Sequence, residues 1–259
     1  MNGLFDLSGK NALVTGGAQG LGRMIAEGLL RAGANVAITS RKADICESAA
    51  AEMAALGTCV ALPSDLSSPE AAVDLAARTR AQFGGKLHII VNNAGKTWGG
   101  SIDSFPDKAW PGVMMVNVQA PFTQIRELLP ELEAAASPDD PARILNIGSV
   151  AGKVTARLSA YSYSSSKAAI HMLSRDLAGD LAARNINVNV VMPGYFPTKM
   201  TAHMRDDYGV DPALLAHIPM NRMGRADEIA GVIVFLASRA GGYITGAEIP
   251  VDGGVIGCG

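Results

Sequence analysis

Short apolar or β-branched runs alternate with longer Ala-rich stretches of helical period along the whole chain, and this rhythm restricts the fold more than any other feature. Runs at 11–15, 35–39, 59–62, 87–91, 143–147, 187–191 and 248–251 read as seven strands. Between them, 20–32, 43–56, 69–83, a long region around 109–136, 161–184 and 227–237 read as helices, the first three ending at Gly33, Gly57 and Gly84. Strand-helix alternation implies right-handed βαβ crossovers, and hence a mostly parallel sheet with helices on both faces: a doubly wound α/β fold. No Pro/Gly/Ser-rich linker interrupts the 259 residues, so 1–259 reads as a single domain, with SPDDP at 137–141 as a surface turn.

Directly after the first strand comes Thr15-Gly16-Gly17-Ala18-Gln19-Gly20-Leu21-Gly22, which opens the first helix. Glycines at 16, 20 and 22 allow a tight turn, close approach of backbone to a pyrophosphate, and close helix–sheet packing; the helix N-terminus adds outward N–H groups and a favourable dipole. A bare glycine pattern is weak evidence, and its strand-to-helix setting is what gives it weight. The second strand ends Thr39-Ser40-Arg41-Lys42, without the carboxylate that accepts a ribose 2′-hydroxyl in NAD-binding folds. A carboxylate there would repel a 2′-phosphate, whereas Arg41 can bind one through paired, charge-assisted hydrogen bonds. The expected cofactor is therefore NADP(H), although Gln19 does not supply the second phosphate contact that a basic residue would.

Bulk properties close off other classes. A formal net charge of −2 gives no basic field for nucleic acid, and no aromatic-basic interleaving supports one. No apolar run reaches membrane-spanning length, and the opening MNGLFDLSGK lacks the order of a secretory leader. Cys46, Cys59 and Cys258 form neither a disulfide framework nor a metal pattern, and His88, His171, His203 and His217 show no ligand spacing. A cytoplasmic protein with reduced thiols and no metal is expected.

In this order and spacing, TGGAQGLG (15–22), Asp65 in SDLS, NNAG (92–95), Asn117 in MVNVQ, IGS ending at Ser149, YSSSK (163–167), PG (193–194) and the terminal TGAEIPVDGG resemble the short-chain dehydrogenase/reductase family over almost the whole chain. The resemblance implies a Rossmann-type sheet and interconversion of a ketone and a secondary alcohol. It places Gly16, Gln19, Gly20, Leu21, Gly22, Ser40, Arg41, Lys42, Asp65 and Leu66 along the dinucleotide. Asn92, Ala94 and Gly95 shape the cofactor floor and central sheet, and Pro193, Gly194, Phe196 and Thr198 lie at the nicotinamide end. The family's catalytic tetrad falls on Asn117, Ser149, Tyr163 and Lys167 without substitution, with Tyr163 and Lys167 also touching the cofactor.

The chemistry is consistent with that assignment. Reducing a ketone needs a hydride donor on one face and an acid for the developing alkoxide. A free phenol, with pKa about 10, is a suitable acid, and a nearby ammonium is expected to lower its pKa. Tyr163 and Lys167 are four apart and share a helix face, whereas Tyr161 lies roughly 200° around from Tyr163. Ser149 can donate to the carbonyl oxygen, and Asn117 is expected to hold a water that links Lys167 to solvent. The gap from Ser149 to Tyr163 is 14, slightly longer than the family's usual spacing, which points to an extra residue in the loop 153–159 beside the substrate.

Residues 195–222 read as a substrate lid, with Tyr195, Phe196, Met200, Met204, Tyr208, Leu214, Leu215, Ile218 and Met220 along it, half of them expected to pack the lid against the body. Trp98, Tyr161, Tyr195 and Met200 are the substrate-side candidates. An apolar, Met-rich lining suits acyl or hydrophobic ketone substrates better than sugars. The phrases NNAGKTWG, PARILNIGSVAG, INVNVVMPG and IPMNRMGR resemble bacterial β-ketoacyl reductases of the rhamnolipid-associated type, implying a 3-oxoacyl thioester as substrate. Other ketones (diketones, sugars, steroids, xenobiotics) and a catalytically silent NADP(H)-binding protein are the alternatives. The same family resemblance implies a homotetramer built on the helices at 109–136 and 161–184 and the last strand. Tyr163→Phe is expected to abolish turnover while dinucleotide binding survives, and Tyr161→Phe to keep most activity; steady-state kinetics with parallel cofactor titration checks both, and the reverse pattern would overturn the assignment.

Overall fold

Seven strands form one all-parallel sheet in the order β3-β2-β1-β4-β5-β6-β9. They are β1 (Asn11–Val14), β2 (Asn35–Ile38), β3 (Cys59–Ala61), β4 (Ile89–Asn92), β5 (Ala142–Ile147), β6 (Ile186–Pro193) and β9 (Glu248–Val251). The computed structural model describes residues 3–155, 159–198, 201, 205–206, 209–210 and 212–258. Each expected strand is found within about two residues of its expected bounds. β7 (Arg205–Asp206) and β8 (Gly209–Val210) pair antiparallel within 195–222, which the sequence did not signal.

The chain winds outward from β1 to β3, then returns past β1 to start β4 and winds the other way. A crevice therefore opens beyond the C-terminal ends of β1 and β4, where neighbouring crossovers lie on opposite faces and ligands of open α/β sheets bind. One face of the sheet is covered by α1 (Gly20–Arg31), α2 (Ala43–Met53) and α9 (Ala226–Ala237), which bury Ile25, Leu29, Met53, Ile229, Ile233 and Leu236. The other is covered by α3 (Pro69–Gln82), α5 (Ala120–Glu127) and α7 (Tyr161–Leu181), which bury Leu75, Ile125 and Leu181. The central strands are buried on both sides and read as continuous apolar runs for that reason.

The expected single helix over 109–136 is instead α4 (Ala109–Met114), a π-turn at Met115–Gln119, α5, and α6 (Leu129–Ala135) after a break at Leu128. Pro121 and Pro130 sit in the first turns of α5 and α6, where a missing N–H costs nothing. Helical period alone cannot show a π-turn, and this one lies at Asn117. In the lid, α8 (Pro212–Leu215) is a single turn, Phe196 and Ile218 are buried and Met220 is exposed. Met200, Met204 and Tyr208 lie outside the described residues.

Arg143 is a charged residue buried within β5. Its Nε donates to the carbonyl of Leu236 and its Nη2 to that of Ser238, both at 3.0 Å, and Nη1 to that of Pro141. The guanidinium thus closes the C-terminal end of α9, where carbonyls lack intrahelical partners. Arg143→Met keeps the volume but leaves those carbonyls dry, so it is expected to cost about 2 kcal/mol. A thermal melt should fall by roughly 5 °C; an unchanged melting temperature would deny the cap.

Candidate active site

The glycine loop is pinned across the crevice. Thr15 Oγ1, at the end of β1, accepts the backbone N–H groups of Asn93 (3.0 Å) and Ala94 (2.9 Å), which follow β4. Asn93 Nδ2 donates back to the carbonyls of Thr15 (2.9 Å) and Gly16 (3.3 Å). Gly16 has φ +66°, and a Cβ on Gly22 would stand 2.2 Å from the Gly16 carbonyl and 2.4 Å from Asn93 Nδ2, so nothing larger than glycine closes this loop. The Gln19 side chain makes no capping bond, so the first turn of α1 keeps its N–H groups for a ligand. Leu21 is half-buried in that turn.

The other cofactor candidates surround this loop. Ser40, Arg41 and Lys42 follow β2; Arg41 and Lys42 are exposed and, among the described residues, enter no ion pair. Asp65 is exposed after β3 and Leu66 is buried beneath it. Ala94 and Gly95 form the turn after β4. Asn92 is buried and donates to Asn146 Oδ1 at 2.8 Å, tying β4 to β5, so its role is to brace the sheet. Pro193 ends β6, and the Gly194 N–H donates to Val251. Thr198 lies against the glycine loop, within 3.5 Å of where a Gly20 Cβ would be. The Phe196 side chain is turned away into the core beside Gly224, so only its backbone can meet a ligand. A loop with left-handed glycines, an uncapped helix start and two exposed cations after β2 fits an anionic dinucleotide with an extra ribose phosphate.

Ser149, Tyr163 and Lys167 converge at the end of β5, with Asn117 beyond them. The Ser149 hydroxyl lies beside the Tyr163 phenol, close enough to oppose the effect of burial on it, and Lys167 Nζ lies 5.7 Å from the Tyr163 ring centroid. Nζ donates to the carbonyl of Ile147 at 2.6 Å. Burial pulls the Lys167 ammonium down to about 8. The Tyr163 phenol is shifted up, because burial outweighs the lowering effect of Ser149. This reverses the lowering expected from a neighbouring ammonium: desolvation of the phenolate, invisible in residue spacing, is the larger effect.

Asn117 joins two parts of the site. Its Oδ1 accepts the Lys96 N–H (2.8 Å), and its Nδ2 donates to the Lys96 carbonyl (2.9 Å) and to Ser166 Oγ (2.8 Å). Both amide hydrogens are committed to protein, so the side chain clamps the loop after β4 to α7. Ser166 passes the link on by donating to the Tyr163 carbonyl at 2.7 Å. Asn93, Ser166 and His171, whose Nε2 accepts the Ser149 N–H at 3.4 Å, were not among the expected residues. Asn93 and Ser166 stand inside the NNAG and YSSSK motifs, which was the available signal; His171 carried none.

On the substrate side, Trp98 is partly exposed in the loop after Gly95. The Tyr161 ring meets Phe105 edge-on at 5.2 Å, and Phe105 meets Trp110 at 6.3 Å. Burial raises the Tyr195 phenol; Met200 lies outside the described residues. The loop after Ser149 is described to 155 and again from Ser159, whose carbonyl accepts the Gly100 N–H at 3.0 Å. A cleft of about 440 Å³ opens between the lid and β9, bordered by Tyr195, Met220, Arg222, Glu228 and Asp252. None of Asn117, Ser149, Tyr163 and Lys167 lines it.

Comparison with known proteins agrees with this geometry. Residues 16–256 match the family model described as Enoyl-(Acyl carrier protein) reductase. The chain is 48% identical over 254 residues to the rhamnolipids biosynthesis 3-oxoacyl-(acyl-carrier-protein) reductase of Pseudomonas aeruginosa, covering 98% of this chain and 99% of that protein. It is 33% identical over 257 residues to the 5-keto-D-gluconate 5-reductase of Escherichia coli, covering 99% of each. Among solved structures, the Pseudomonas aeruginosa RhlG/NADP active-site complex superposes with a TM-score of 0.93 at 47% identity, covering 99% of this chain and 100% of that one.

Proposed function

The chain belongs to the short-chain dehydrogenase/reductase family of oxidoreductases, and from that premise we propose that it is an NADPH-dependent reductase of 3-oxoacyl thioesters. The observation that carries the reaction is the convergence of Ser149 and Tyr163 with Lys167 buried beside them. A dihydronicotinamide held along the glycine loop at Gly16, Gly20 and Gly22 would supply the hydride to the carbonyl carbon. Ser149 and Tyr163 address the carbonyl oxygen together: the serine hydroxyl polarises it, and the phenol gives up its proton as the oxygen gains charge. A phenol raised by burial stays protonated at neutral pH, which suits the reductive direction. Lys167, fixed by the Ile147 carbonyl, is the cation beside the phenolate that remains.

Arg41 and Lys42, exposed after β2 without a competing carboxylate, support NADPH over NADH. The half-exposed aromatic edge of Trp98, Trp110 and Tyr161, with Phe105 between, supports an acyl chain over a polyhydroxylated substrate. The intact tetrad argues against a silent binding protein. The enzyme works in the cytoplasm as a homotetramer in this reading; exposed Phe122 on α5 and Met172 on α7 support a self-association surface there. Among the described residues no helix is long and apolar enough to cross a membrane. Sedimentation as a monomer would remove the assembly.

An NADPH-oxidation screen of 3-oxoacyl thioesters, diketones and keto-sugars, repeated with NADH, tests substrate and cofactor together. The highest kcat/KM is expected for a 3-oxoacyl thioester with NADPH; preference for a keto-sugar, or for NADH, would overturn the corresponding half. Lys167 is charged below about 8 and neutral above it, while Tyr163 stays protonated across that range. The reductive kcat/KM is therefore expected to hold at neutral pH and fall as pH rises through about 8; a rate still climbing at pH 9 would deny the ammonium its role.

A further inference from the structure

We propose that His171 is a positioning residue for Ser149: its neutral imidazole holds the Ser149 backbone in the orientation that aims the hydroxyl at Tyr163. The inference rests on the reductase reading above for its kinetic consequence and on geometry alone for its structural one.

Tyr163, Lys167 and His171 recur every four residues on α7, so one buried helix edge carries the phenol, the ammonium and the imidazole in series. His171 Nε2 accepts the Ser149 N–H at 3.4 Å. The ring is wedged between the two glycines that flank this turn: a Cβ on Gly148 would stand 2.2 Å from Nε2, and one on Gly152 would stand 2.9 Å from Cε1. The β5-to-α7 connection has given up side chains on both sides of Ser149 to let the ring in.

An acceptor at Nε2 requires the proton on Nδ1. That nitrogen faces Glu248, the first residue of β9, with Oε2 at 3.9 Å. The same carboxylate takes Lys153 at 3.0 Å and Arg175 at 3.4 Å, so its charge is shared and the imidazole keeps one proton. Burial, assisted by the positive charges of Lys167, Lys153 and Arg175, outweighs Glu248 and holds His171 down to about 4. Lys153 lies within the connection itself. Glu248 therefore fixes the loop after Ser149 through Lys153 while its charge favours the Nδ1–H tautomer of His171.

Nitrogen-15 NMR of the imidazole rings in the full-length protein tests the tautomer without substrate. His171 is expected to be neutral at pH 7 with a bare Nε2; a proton on Nε2 would overturn the proposal. His171→Leu keeps bulk but removes the acceptor, and His171→Gln returns one near the Nε2 position. The Leu variant is expected to lower kcat by about tenfold, with KM and the NADPH Kd within about twofold of wild type. Its Ser149 amide should exchange faster with solvent, and the Gln variant should recover both rate and protection. An unchanged kcat in the Leu variant, or a Gln variant as slow as Leu, would sink the positioning role. If the Leu variant does not fold, the tautomer and the Gln variant decide. If wild type oxidises NADPH with none of the ketones, the reductase reading fails separately, and the tautomer and amide exchange still decide His171.

Discussion

Everything at the reaction centre hangs from the polar edge of α7. Its inward face carries Ser166, Lys167, His171 and Ser174 before it turns apolar at Ala178 and Leu181. Each of these polar groups is buried and hydrogen-bonds a group outside α7. Ser166 takes Asn117, Lys167 the end of β5, His171 the Ser149 backbone, and Ser174 the Asn146 amide at 2.8 Å. Burying such groups without partners is costly, so the set defines a register.

That register couples fold to chemistry. Ser174, Asn146 and Asn92 form a chain from α7 through β5 to β4, and the turn after β4 carries Asn93, which braces the glycine loop. The dinucleotide loop and the catalytic helix, far apart in sequence, are thus joined through buried amides. Asparagines inside the central sheet act as internal ties, and among the described buried sheet asparagines only Asn92 Oδ1 is left without a partner.

Much of this was legible in the amino-acid order. Strand positions followed from apolar runs that must be continuous when both sheet faces are covered, and the meeting of Ser149, Tyr163 and Lys167 followed from motifs in series. What escaped was what spacing does not encode. The π-turn at Asn117 leaves no period to read. The upward shift of the Tyr163 phenol comes from desolvation by the folded surroundings, which a Tyr–Lys spacing cannot report. His171 looked like one of four scattered histidines because its partners are a backbone N–H and a carboxylate 77 residues downstream.

The Asn117 clamp divides this enzyme into a part that is fixed and a part that is replaceable. By holding the Lys96 main chain to Ser166, it ends the rigid framework at the root of the loop that bears Trp98, and the aromatic edge up to Trp110 extends outward from that root. Loop exchange grafted between this clamp and α4 can reshape what is admitted without disturbing Tyr163. A scaffold so partitioned is suited to diversifying its substrates by changing a few residues at the rim, and relatives named for acyl and for sugar-acid ketones on one shared frame are what such a partition allows.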